Sequence, residues 1–245
     1  MNEVTRLLKT HRSIRKFTEQ PVSDEMIHEI ITCGQAAATS SNIQAVSVIR
    51  IRNPATRKQL AALSGDQGYV TRAGAFLVFC ADLARPRFAC EMQGGDFAQG
   101  MTEQFLIATV DVALAAQNCV VAAESLGLGI CYIGGIRNHP QAVADLLRLP
   151  EDVYPVFGLC LGFPAQNPQT KPRLPLSVVF QEEYYPAHQD QQAIEAYDQQ
   201  MRNYYQTRTG GNKNSSWSQE ICSLIGKESR PHMRGFLARR GFSMR

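Results

Sequence analysis

Within the seven residues His11-Arg12-Ser13-Ile14-Arg15-Lys16-Phe17, a histidine and three cations surround one hydroxyl. Like charges packed this closely repel unless an anion shares them. Arginine's rigid fork of donors suits a phosphate, and a neighbouring serine hydroxyl and backbone amides add short hydrogen bonds. The same run also reads as the solvated basic end of a first helix. Three further segments carry related chemistry. Tyr132-Ile133-Gly134-Gly135-Ile136-Arg137 ends an apolar strand in two glycines, where backbone amides can approach a flat ligand. Lys171-Pro172-Arg173 sets two cations on one extended tripeptide. Thr39-Ser40-Ser41-Asn42 closes a helix with small hydroxyl and amide groups able to line a polar pocket. Each of the three also fits a strand-ending turn, a solvated loop or an ordinary helix terminus.

Other chemistries fail on context. The glycines of Leu126-Gly127-Leu128-Gly129 precede a strand and open no helix, so the dinucleotide fingerprint is not met, and there is no Walker loop. Gly158-Leu159-Cys160-Leu161-Gly162 has the pattern of a nucleophile elbow with cysteine for serine, but Phe163-Pro164 and a proline-rich loop follow where a helix must start. A buried strand is expected there, rather than a cysteine hydrolase. His11, His28, His139, His188 and His232 lack the short ligand spacings of zinc or iron sites, so no metal is expected.

These segments need elements to position them. Ser23 followed by Asp24, Glu25 and the apolar spacing of Met26, Ile27, Ile30 and Ile31 predicts an amphipathic helix running to about residue 38. Residues 46–51 and 75–81 are β-branched or aromatic runs with a helical stretch at 57–63 between them. Residues 102–126 are apolar all round, with Gly127 as a helix stop. Their length suits a membrane span, but Glu103, Gln104, Asp111, Gln117, Asn118 and Glu124 would each be costly in hydrocarbon. A buried central helix partly covered by another subunit is expected. Strands at 130–133 and 153–161 flank a helix at 142–147 that Pro140 starts and Pro150 follows. From Pro164 prolines alternate with polar residues, marking an excursion from the core. Ile194, Tyr197, Met201, Tyr204 and Tyr205 recur at helical spacing within 188–205. Residues 209–215 read as a flexible loop, Ser216 with Gln219 as a capping box, and Pro231 to Gly241 as a last helix.

With 245 residues, 44% of them hydrophobic, the chain can build a core without staples. A net charge of +3, with cations dispersed among nearly as many carboxylates, gives no nucleic-acid footprint. Seven cysteines with no Cys-x-x-Cys pair, mostly inside apolar runs, imply reduced thiols and a cytoplasmic protein. Residues 1–9 are polar and charged, so no secretory leader is expected.

Taken together, His11-Arg12-Ser13-Ile14-Arg15, Gln67, Tyr132-Ile133-Gly134-Gly135, Lys171-Pro172-Arg173, Arg208 and Lys227-Glu228-Ser229-Arg230-Pro231 resemble, in order and separation, the oxygen-insensitive NADPH nitroreductase and flavin reductase family. The resemblance covers essentially the whole chain. It implies a single α+β domain over 1–245 with a nitroreductase-like, FMN-dependent fold: a central mixed β-sheet flanked by helices, with a helical C-terminal extension from residue 164.

The family resemblance further implies a homodimer with FMN bound at its interface and no protein nucleophile. By matching motif, His11, Arg12, Ser13, Lys171 and Arg173 are expected at the FMN phosphate and ribityl chain. Arg15 is expected at the pyrimidine edge, Gln67 and Thr39 at the polar rim, and Tyr132, Ile133, Gly134 and Gly135 beside the ring. Cations and amides near that edge stabilise negative charge developing on the ring. Arg208, Lys213 and Arg230 are expected at the NADPH phosphates, with Lys213 standing where relatives often carry arginine, and Ser41 and Asn42 in the acceptor pocket. The implied reaction is a ping-pong, two-electron reduction of nitroaromatics, quinones and related small molecules. A flavin reductase that releases reduced FMN to a partner and an FMN-binding protein without turnover are the alternatives.

Overall fold

The computed structural model describes residues 2–209 and 211–245. The chain divides into two compact units: residues up to 166 together with 230–245, and residues 167–229. The change of composition at Pro164 marks this division. In chain order the elements are α1 (Glu3–Lys9), α2 (Asp24–Gln35), β1 (Val46–Arg50), α3 (Pro54–Leu63), α4 (Tyr69–Arg72), β2 (Ala75–Asp82), α5 (Ala84–Met92) and α6 (Thr102–Ser125). They continue as β3 (Gly129–Ile133), α7 (Pro140–Leu146), β4 (Val153–Gly162), α8 (Leu176–Val179), α9 (Gln191–Thr207), α10 (Trp217–Ile225) and α11 (His232–Arg239).

In the first unit the strands pair antiparallel in the order β1-β2-β4-β3. The parallel component of the expected mixed sheet is one bridge, Ser13 to Ile130. That bridge corrects the expectation of a solvated helix end. Helix α1 stops at Lys9 with Thr10 as its C-cap, and the basic run beyond it is extended along the sheet. Ile14 N donates to Ile130 O at 2.8 Å, and Thr18 N to Phe163 O at 2.9 Å. Two glycines make room for it. Gly129 and Gly162 face each other across β3 and β4. A Cβ on Gly129 would stand 2.5 Å from Ile14, and one on Gly162 2.8 Å from the Phe17 ring.

One sheet face packs on α2, α6 and α11, the other on α3, α4 and α7, and each face carries its own apolar core. Ser23 caps α2 by accepting from Met26 N, and Ile27 and Ile30 face inward. Burying each such side chain contributes about 1.5–3 kcal/mol. Gly34 lets α2 approach α6, since a Cβ there would meet Cys119 Sγ at 2.3 Å. Helix α6 is buried on one face only: Ala108, Val112, Ala115, Cys119 and Val120 point into the core, while Leu106, Val110 and Leu114 remain 50%, 53% and 42% exposed. Gly127 ends it in the left-handed region at φ +79°. The helix is long and apolar enough to cross a membrane by length and composition.

The second unit is a small helical body. Tyr197, Met201 and Tyr205 of α9 form its core with Leu174 and Trp217 against them. The capping box of α10 forms as expected, with Ser216 N donating to Gln219 Oε1 at 2.9 Å and Gln219 N to Ser216 Oγ at 3.3 Å. Tyr197 donates its hydroxyl proton to Pro172 O at 2.9 Å, and Ser218 N donates to Asp198 at 2.8 Å. Of the loop expected at 209–215, Gly210 lies outside the described residues.

Candidate functional site

In the first unit residues 11–17 run beside β3, and Arg15 links them to Tyr69 and, through it, to Gln67 and Gly135. His11 is tied to α6, its Nδ1 2.7 Å from Glu124 Oε1. Among the described residues Arg12, Arg15 and Lys16 form no salt bridge. Three cations in five residues are thus left uncompensated, an arrangement suited to an anion. Ser13 is fixed by its bridge to Ile130.

Arg15 approaches Tyr69, whose hydroxyl donates to Gln67 Oε1 at 2.7 Å. Burial raises the Tyr69 pKa, and the charge of Arg15 offsets part of that rise. Gln67 lies against Gly135: a Cβ there would stand 3.1 Å from Gln67 Nε2 and 2.2 Å from Ser64 O. Only glycine fits. Arg15, Gln67, Tyr69 and Gly135 therefore form one constellation. Tyr132 is not part of it, because strand alternation turns Cys131 and Ile133 toward the α3–α7 core and Tyr132 toward α6. The buried side chain of Ile133 is core, so only its backbone can face a ligand.

On the α6 side, Tyr132 lines a cleft of about 390 Å³ with Ala113, Gln117, Gly134, Arg137 and Phe157. Tyr132 and Phe157 meet edge to face at 5.0 Å, and Gly134 leaves the wall bare except for the tip of Arg137. Burial, with the neighbouring Glu124 carboxylate adding to it, raises the Tyr132 pKa strongly, so its hydroxyl stays protonated.

Thr39, Ser41 and Asn42 belong to a loop that α6 holds. The buried carboxylate of Asp111 accepts from Ser40 N at 3.1 Å and Ala45 N at 3.0 Å. Between these anchors Ser41, Asn42 and Gln44 take left-handed φ values of 47°, 59° and 55°. Such backbone persists only where its surroundings over-determine it, and it concentrates at ligand sites. A second cleft of about 390 Å³ between this loop and α6 includes Thr39 and Ser40, but neither Ser41 nor Asn42, in its wall.

Arg230, also expected at NADPH, is held by side-chain contacts of its own. It belongs to the first unit, takes φ +54°, and donates to Asn138 Oδ1 through Nε at 3.0 Å and Nη2 at 2.9 Å. His232 Nε2 lies 3.0 Å from Arg137 O. The returning chain is thereby fastened to the turn that follows Gly134 and Gly135.

In the second unit Lys171, Arg208 and Lys213 converge on one ring. Lys213 Nζ is 4.4 Å, Arg208 Cζ 5.1 Å and Lys171 Nζ 5.6 Å from the centroid of Tyr205. Lys171, expected with Arg173 at the FMN phosphate, shares that ring with two residues expected at NADPH. Arg173 donates to Lys171 O at 3.0 Å, and Arg208 Nε to Gly211 O at 2.8 Å.

Sequence reasoning gave no site role to Asp111, Tyr69, Asn138 or Tyr205. Asp111 had a signal, a carboxylate inside an apolar helix. Tyr205 was legible only as part of a core stripe.

Three comparisons bear on this geometry. The Nitroreductase family profile matches residues 8–163, and that of the Nitroreductase family, C-terminal domain, matches residues 171–245. The chain is 44% identical over 246 residues, spanning all of both proteins, to an oxygen-insensitive NADPH nitroreductase of Salmonella typhimurium. Among solved structures it superimposes on nitroreductase A of Vibrio parahaemolyticus with a TM-score of 0.93 and 44% identity. It matches NADPH:FMN oxidoreductase of Vibrio harveyi complexed with NAD+ at a TM-score of 0.91 and 43% identity, and both superpositions cover the full length of both chains.

Proposed function

This chain belongs to the nitroreductase family, and from that premise we propose that it is an FMN-dependent, NADPH-preferring oxidoreductase. It reduces nitroaromatics, quinones and related small acceptors two electrons at a time. The observation that carries the reading is the uncompensated charge of Arg12, Arg15 and Lys16 beside a strand ending in Gly134-Gly135. Those donors suit a flavin phosphate and the pyrimidine edge, and the paired glycines let backbone amides approach a flat ring. Bound FMN supplies hydride chemistry that no side chain here performs.

The chain's own part is binding and orientation. His11, Arg12 and Ser13 hold the phosphate and ribityl chain. Arg15, steadied by Tyr69 and Gln67, places positive charge at the ring edge, and Thr39 adds a polar rim. The backbone of Ile133, Gly134 and Gly135 lines the ring, and Tyr132 stands on the α6 side of the strand. Ser41 and Asn42 border the acceptor. Arg208 and Lys213 bind NADPH phosphates, and Arg230, through Asn138, keeps the glycine turn in place. The exposed row of Leu106, Val110 and Leu114 supports a homodimer, in which a second copy covers α6. Free thiols at all seven cysteines support a cytoplasmic location.

Initial rates measured with NADPH and a nitroaromatic at several fixed concentrations of each are expected to give parallel double-reciprocal lines. Intersecting lines would reject the ping-pong scheme. The name of the Vibrio harveyi relative supports a second activity, reduction of free FMN, and comparing turnover on FMN and on a nitroaromatic separates the two roles.

A further inference from the structure

We propose that Tyr205 and Glu220 form a preset receptor for the 2′-phosphate of the dinucleotide, in which the Glu220 carboxylate occupies the phosphate position and is displaced when the ligand arrives. The inference rests on the NADPH reading above and adds two residues to it.

Three cations around one ring repel one another, and something must hold them together. Tyr205 is one part of the answer. Its ring is 4% exposed, fixed by the α9 core, and offers its π-face to Lys171, Arg208 and Lys213 within 5.6 Å. Glu220 is the other. Its Oε2 lies 2.5 Å from Lys213 Nζ, and its Oε1 accepts from Ser215 Oγ at 2.5 Å. Contacts to Lys213 and Ser215, with the charge of Lys171 adding to them, hold its pKa below the ordinary carboxylate range. The carboxylate is therefore ionised at neutral pH and makes the ammonium and hydroxyl contacts that a phosphate oxygen would make.

Charge favours exchange. One carboxylate neutralises one of three cations, which leaves about two positive charges, and a phosphate monoester carries about −1.5 to −2 at pH 7. Glu220 sits in the first turn of α10 with 40% of its side chain exposed, so it can turn to water when a dianion competes for Lys213. A singly charged ligand competes poorly. The carboxylate thus keeps the cations assembled in the empty site and sets a threshold of ligand charge.

The test is calorimetric titration of the FMN-loaded full-length protein with adenosine 2′,5′-bisphosphate and with ADP-ribose, whose two phosphates are singly charged diesters. The wild type is expected to bind the bisphosphate more tightly. Glu220→Gln, which removes the competing charge, is expected to lower the bisphosphate Kd at least threefold while moving that of ADP-ribose less than twofold. Tyr205→Leu should raise the bisphosphate Kd at least fivefold, and Tyr205→Phe, which keeps the ring, should stay within twofold of the wild type. A Glu220→Gln protein that binds the bisphosphate no more tightly than the wild type overturns the proposal. Equal tightening of both ligands overturns it too. If FMN-free protein binds the bisphosphate and FMN-loaded protein does not, the ring serves the flavin phosphate and the assignment is wrong. These outcomes are read without turnover, whereas failure of the NADPH reading shows itself separately, as no oxidation of NADPH.

Discussion

At residues 11–16 the cations hang from extended backbone that the sheet holds in place, whereas in the second unit they gather from distant positions on the face of a single tyrosine. The first cluster is fixed through main chain. Ile14 is hydrogen-bonded to Ile130, and two glycines clear the space for its bed. Apart from His11 beside Glu124, its charged residues form no salt bridge among the described residues. The second cluster is fixed through side chains, and it carries its own counter-ion in Glu220. A permanently held anion suits the first plan, since the site can stay charged when the ligand never leaves. An anion that comes and goes in every turnover suits the second, which must remain assembled when empty.

The comparison breaks most visibly at the bed of the first cluster. Gly129→Val places methyl groups where Ile14 lies, and overpacking of this kind costs about 3 kcal/mol, or about 6–12 °C in Tm. Bound flavin should be lost, while adenosine 2′,5′-bisphosphate binding in the second unit stays within twofold. Thermal unfolding and flavin content decide it: a variant with ordinary Tm and full flavin removes the main-chain account.

Arg15→Ala leaves the bed intact and deletes one charge. Losing a hydrogen bond to a charged group costs about 1.5–3 kcal/mol, so FMN affinity should weaken about 10- to 100-fold, measured by equilibrium dialysis. Full retention with normal turnover would rule out the role given to Arg15. On the other side, Arg208→Ala should raise the KM for NADPH about tenfold, a single charge-assisted contact of about 1.4 kcal/mol, with FMN content unchanged. Loss of flavin, or an unaltered KM, contradicts the division of labour between the clusters.

The smallest effect is ionic. Because Lys213 and Glu220 are both more than a third exposed, salt screens the second cluster, and raising ionic strength from about 0.05 to 0.3 M should increase the KM for NADPH roughly two- to fivefold. FMN retention over the same range should shift less. If both respond alike, the two sites do not differ in the manner described.

Much of the scaffold was readable because its signals are local. Ser23 ahead of Asp24 and Glu25, the Ser216/Gln219 box, Gly127 behind a long apolar run and the stripe of Tyr197, Met201 and Tyr205 each act within a few residues, and α2, α10, α6 and α9 form there. Helix α5 gave no periodic signal, since none of its residues is buried, and α4 and α8 are only four residues long. The extended state of residues 11–17 was illegible for a different reason: it depends on pairing with Ile130 and Phe163, far away in sequence. The site divides the same way. The residue types at 11–15 and 134–135 raised the expectation of an anion and a flat ligand from local sequence alone. That Lys171, Arg208 and Lys213 share one ring, or that Arg230 is held by Asn138, follows only from tertiary structure.

The central claim is that uncompensated cations beside a glycine-ended strand hold a flavin that NADPH reduces. The direct measurement is the visible spectrum of the purified protein under anaerobic conditions, before and after one equivalent of NADPH. A yellow protein whose flavin band bleaches on that addition, and returns when a nitroaromatic or quinone is added, is the expected result. A colourless protein that cannot be reconstituted with FMN contradicts the account.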